Sequence, residues 1–236
     1  MTMGWVLLAV AAWAAPPVIS QEVRLRAADG VEVFGTYYPG SSRSDPLVLL
    51  FHMSGSNRHE YAEIAPELVR LGFGCLAIDQ RSGGTMWNQP NQTVERLGAA
   101  TGFLGALPDL EAALTWARTR SRKILVLGSS YTAGLVFLLA ARHPEVAGVL
   151  AFSPGEYLPD GVAVRGAAAK VRVPVFVTGA KNETEQVRAI LAAVASPDKV
   201  QFVPRDIGLH GALVLSHPLY KDEYWRALRR FLSRFR

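Results

Sequence analysis

Apolar positions along this chain fall into two kinds of run, and the two kinds alternate. Residues 21–26 and 31–38 alternate apolar and polar side chains about Asp29-Gly30, which predicts a β-hairpin with one wet face. Residues 46–51 (PLVLLF) are apolar without a break, as expected of an interior strand covered on both faces. Further strands are predicted at 75–79, 123–127, 148–152, 173–178 and 200–203. Between them, apolar residues recur at helical spacing over 61–71, 107–118, 133–142, 183–194 and 219–235. Strands separated by helices predict βαβ units and one mostly parallel, twisted sheet with helices on both faces. The N-terminal hairpin extends that sheet antiparallel. No linker divides the series, so 15–236 reads as one α/β domain.

The first residues break the pattern. Residues 1–15 carry no charged side chain, and Ala12-Trp13-Ala14 is an A-x-A cleavage pattern. Residues 1–14 are therefore read as a secretory signal peptide, and the protein as secreted or periplasmic. The missing Lys or Arg near Met1 keeps an uncleaved N-terminal membrane anchor as the alternative.

Composition adds little beyond this. The chain has 236 residues, half of them hydrophobic, enough to bury one sizeable core. Cys75 is the one cysteine and lies in the apolar run FGCLAI, the setting of a buried structural thiol. Part of the net charge of +5 comes from Arg226, Arg229, Arg230, Arg234 and Arg236. They share a stretch with Trp225, Leu228, Phe231, Leu232 and Phe235, which reads as an amphipathic closing helix with a solvated basic face. No nucleic-acid motif accompanies them, and no nucleic-acid partner is expected.

The sharpest chemical signal is ILVLGSSYTAG, residues 124–134. A buried strand runs into a helix through a tight turn with a hydroxyl at its apex, the setting of a nucleophile elbow. Ser130 is the candidate nucleophile, and the N–H of Tyr131, at the helix start, is a candidate oxyanion donor. The match is G-x-S-x-T, because Thr132 stands where a second glycine is usual. Gly134 is a candidate to relieve the crowding that glycine would relieve. The plainer reading of the motif is a serine cap on the next helix.

A serine nucleophile needs a base, and the base an orienting acid. After Ser130 the chain offers His143, His210 and His217. His143 sits at a helix end. His210 lies between the last predicted strand and the last helix, where the base belongs, and His217 is the fallback. Asn182 occupies the usual acid position. The first choice of acid is its neighbour Glu183, and Glu156, after the preceding strand, is the alternative. Glu185 and Asp206 are outsiders. A second oxyanion donor is expected after an earlier strand, from the N–H of Met53 in FHMSGSNR. His52 reads as a loop-packing residue, since no convincing third ligand joins it and His59 in a metal site.

The stretches LFHMSGS, AIDQRSGG and GSSY together resemble the α/β-hydrolase superfamily, most closely its compact dienelactone-hydrolase-like members. The resemblance spans nearly the whole chain after the leading segment. It implies an α/β-hydrolase fold and Ser–acid–His esterase chemistry, with Asp79 and Arg81 matching a D-x-R loop of structural role. Dienelactone hydrolases proper carry Cys where this chain has Ser130. The expected enzyme cleaves an ester or related acyl bond of a small-molecule substrate, with no cofactor and no metal. Only about twenty residues separate 152 from 173, too few for a large lid. The alternatives are a serine peptidase or thioesterase, and a non-catalytic binding protein on the same scaffold.

Overall fold

The computed structural model describes residues 18–236 apart from Arg43 and Asp160, so the leader expected at 1–14 lies outside the described residues. Among the described residues, eight strands form one sheet in the order β1-β2-β4-β3-β5-β6-β7-β8. The hairpin of β1 (Gln21–Arg26) and β2 (Glu32–Tyr38) joins β4 (Gly74–Ile78) antiparallel. From β4 onwards every pairing is parallel, through β3 (Leu47–Phe51), β5 (Ile124–Ser129), β6 (Val146–Phe152), β7 (Val175–Thr178) and β8 (Lys199–Gln201).

The unbroken apolar run of β3 has a simple cause. Successive strand residues point to opposite faces, and both faces are covered. Leu47, Leu49 and Phe51 join a core with α3 (Leu107–Arg118), α4 (Tyr131–Arg142), α5 (Val164–Ala168) and α6 (Thr184–Ala193). Val48 and Leu50 join the core beneath α1 (Ile64–Arg70) and α7 (Lys221–Leu232). On α7, Tyr224, Trp225, Leu228, Phe231 and Leu232 are buried, and the interleaved Arg226, Arg229 and Arg230 are not. Cys75 is buried in this second core, which pushes its thiol well above the ordinary range.

The expected fold is present, and the differences are local. The helix expected over 61–71 is a 3-10 turn, Arg58–Tyr61, followed by α1. The segment 86–105, which lacks a helical period, holds the short α2 (Gln92–Leu97) capped by the Asn91 side chain. Among the described residues the connection from β6 to β7 carries α5 and no other helix or strand, and they form no large lid over the ends of the strands. Asp79 and Arg81 are structural, as expected. Asp79 is fully buried and paired with Arg58, and Arg81 ties Asp109 to the hairpin residue Asp29.

Candidate active site

Ser130 joins β5 to α4 with φ +62° and ψ −123°, a strained backbone for a residue with a side chain. The sequence permits the turn through its neighbours. A Cβ on Gly128 would stand 2.3 Å from the carbonyl oxygen of Thr132, so only glycine fits there. Thr132 is fully buried and has a purpose of its own. Its hydroxyl donates towards the carbonyls of Phe51 and Ser129, both at 2.8 Å, and accepts the Ser129 N–H at 2.8 Å. The threonine thus pins the elbow to the end of β3. Gly134 does not share the task expected of it: a Cβ there would press on Val164 of α5, away from the elbow.

Three loops converge beside this turn. In the loop after β8, His210 Nδ1 is hydrogen-bonded to Glu183 Oε1, which makes Nδ1 the protonated nitrogen and leaves Nε2 as the basic one. The other oxygen of Glu183 accepts from Ser153 Oγ at 2.6 Å and from the Ala180 N–H at 2.8 Å. Burial pushes this carboxyl up, but the bonds from His210, Ser153 and Ala180 outweigh it and hold Glu183 below its ordinary range. The same contact with Glu183 raises His210, against an opposing effect of burial. The ring of Tyr157 stands edge-on to the imidazole, 6.5 Å between centroids.

Backbone N–H groups fix the His210 loop relative to the Ser130 turn. The Ala212 N–H donates to Ser129 Oγ at 2.8 Å and the Gly211 N–H to Ser153 Oγ at 2.9 Å. The residues just after His210 are thus fastened to the one just before Ser130. Ser153, at φ +55° after β6, links the loops of Glu183 and His210, a connection the sequence does not announce. Its one signal was its place, a small hydroxyl at the carboxyl end of a central strand.

The alternative acid stands elsewhere. Glu156 accepts from the N–H groups of Val164 at 2.6 Å and Arg165 at 3.0 Å and from Arg165 Nε at 3.0 Å. It serves as an anion at the start of α5, and no bond joins it to His210. Glu185 pairs with Arg188 on the surface, and Asp206 bonds the next N–H in the chain. Asn182 is exposed. His143 faces Glu111 and Glu145, and His217 stacks on Tyr220. Buried His52 bonds the Met53 carbonyl through Nδ1 at 2.8 Å and meets Asn91 through Nε2 at 3.3 Å; desolvation depresses it to about 4. It is a neutral loop-packing residue.

The two expected oxyanion donors differ in their surroundings. Tyr131 opens α4, where an N–H has no partner within the helix. The Met53 N–H donates to the carboxylate of Glu60, Oε2 at 2.8 Å. Tyr131's ring packs against Phe103 from the 86–105 segment, 4.3 Å between centroids, and its hydroxyl meets Ser82 and Gln80.

A mostly parallel sheet, a strained serine between strand and helix, and a later histidine clamped by a carboxylate define an α/β-hydrolase. The profile of the serine aminopeptidase family S33 matches residues 42–211, and the chain belongs to that hydrolytic family. Solved structures agree on the fold. An esterase from Pyrococcus furiosus superposes with a TM-score of 0.75 at 19% identity, over 92% of this chain and 93% of that one. A dienelactone hydrolase from Anabaena variabilis gives 0.71 at 17% identity, over 92% and 98%. A thermostable carboxyl esterase from Bacillus coagulans gives 0.73 at 12% identity, over 93% and 99%. No curated protein sequence matches the chain.

Proposed function

We propose that this protein is a serine carboxylesterase acting on small esters. Ser130 attacks the acyl carbonyl while His210 Nε2 takes its proton, and Glu183 holds the imidazole and steadies its charged form. The oxyanion is received by the N–H groups of Tyr131 and Met53. His210 then returns the proton to the leaving alcohol, and water releases the acyl group from Ser130 by the same route in reverse. The observation that carries this reading is the Glu183–His210 bond in the loops that are fastened to the strained Ser130 turn. The absence of a large lid among the described residues and the esterase neighbours favour small esters over long peptides.

The test is turnover of a p-nitrophenyl ester together with labelling by a fluorophosphonate. Wild type is expected to hydrolyse the ester and to take one label per chain, and Ser130→Ala to lose both with its melting temperature kept. Turnover by Ser130→Ala would overturn the nucleophile. Preference for an aminoacyl amide over the ester would favour the peptidase reading, and a wild type that takes no label a binding protein. We further propose that residues 1–14 are an export signal. Amino-terminal sequencing of exported protein should begin at Ala15, and an intact Met1 would contradict it.

A further inference from the structure

Among the described residues, Glu60 is a buried carboxyl with no Lys or Arg paired to it. It lies in the 3-10 turn Arg58–Tyr61, directly beneath the loop that leaves β3, and is 3% exposed. Its Oε2 accepts from the Met53 N–H at 2.8 Å and from Ser56 Oγ at 3.1 Å. Its Oε1 is buried without a hydrogen bond of good geometry among the described residues, although the Ser129 hydroxyl stands beside the carboxyl. The titratable groups that face it are Tyr61 on its own turn, Tyr131 on α4 and His210 in the base loop. The neighbouring Arg58 turns away and is spent on Asp79 and Glu22.

This geometry sets a conflict. A developing oxyanion at Ser130 needs the Met53 N–H, and an ionised Glu60 keeps it through a charge-assisted bond. A carboxylate buried in a low dielectric would also repel the new negative charge. A neutral acid does neither to the same degree. We propose that Glu60 is a positioning residue of the oxyanion loop that must be in its neutral acid form for turnover, the ionised form withholding the Met53 N–H. The proposal rests on Ser130 being the nucleophile. Burial supports it by pushing Glu60 up to about 7, against the pull of Ser129, Met53, Ser56 and His210.

The test compares wild type with Glu60→Gln, a neutral isostere that can still accept from Met53. The readout is kcat for a p-nitrophenyl ester across pH 5.5 to 9, in protein first shown by fluorophosphonate to carry a reactive Ser130. One pH unit above an ionisation at about 7, only about a tenth of wild type keeps the proton. The ratio of Glu60→Gln to wild-type kcat should therefore climb about tenfold per pH unit above that point. A ratio that is flat, or that falls with pH, overturns the proposal. Should Glu60→Gln fail to fold, the wild-type Met53 amide resonance decides. It should titrate with a midpoint near 7 in free enzyme. An amide unmoved over this range overturns the proposal. Loss of labelling in wild type would sink the Ser130 reading instead, so the two failures are distinct.

Discussion

Thr132 shows how one side chain turns a departure from a motif into a working part. The glycine usual at its position would leave the Ser129 N–H and the end of β3 without the hydroxyl that joins them. Thr132→Val keeps the shape and deletes those bonds, which strands a buried N–H. A loss of about 1–3 kcal/mol is expected in urea unfolding, and an unchanged midpoint would refute the pinning role. The glutamates part at the same scale. Glu183→Gln leaves His210 without an anionic partner, and kcat should drop by about 10²–10⁴. Glu156→Gln should leave kcat within about threefold and loosen α5 instead. Equal losses in the two variants would overturn Glu183 as the orienting acid.

Elements matter here as carriers of turns. β5 ends between β3 and β6, so the elbow emerges at the centre of the sheet, flanked by the loops after both neighbours. The turn tolerates no Cβ at Gly128, where the nearest atoms are the backbone of Thr132 and Ala133. Gly128→Ala should therefore cost a few kcal/mol, about 2–4 by analogy with other overpacked sites, seen as a lowered melting temperature. α7 acts at a distance. Its Tyr224 hydroxyl donates to the Gly179 carbonyl at 2.9 Å, which holds the acid loop down on the helix. The amphipathic pattern of that helix was readable from its spacing, but nothing in the pattern marks Tyr224 as the residue that reaches the site.

For the whole molecule, the consequence is a pair of carboxyl groups pushed in opposite directions. Glu183 is held down by His210, and His210 is raised above 6.5 by Glu183. A base must be neutral, so the acid limb of the wild-type kcat/KM profile should rise through an inflection above 6.5, with the ionisation of Glu60 setting the fall at higher pH. In Glu183→Gln that inflection should move down, and one that stays in place would show that the carboxylate does not face the base. Glu60 has the opposite sign. Its folded form binds the proton more tightly than the unfolded chain, so its contribution to stability is whole below about 4.5 and lost as pH rises through about 7. The loss relative to Glu60→Gln should reach about 3 kcal/mol above neutrality. Urea midpoints for the two proteins at pH 5 and pH 8 measure it, and parallel midpoints would argue against a buried, titrating Glu60.

The sequence by itself determined the order of the strands and the longer helices, though not the short α2 and α5, because burial on both faces writes continuous apolar runs and amphipathic helices write their own period. It also determined which loops would hold Ser130 and His210, since chain order in a parallel sheet places every such loop at the carboxyl ends of the strands. Only the tertiary structure brought Glu183 rather than Glu156 to His210, and only it found Ser153 between the loops of Glu183 and His210. The same holds for Glu60, whose sequence context is that of an ordinary solvated glutamate. The physical reason is range. Periodicity reports which side of an element faces the core, whereas the work of a carboxyl group depends on the few atoms within hydrogen-bonding distance. For Glu183 and Glu60 those atoms come from separate loops that meet only when the sheet is complete.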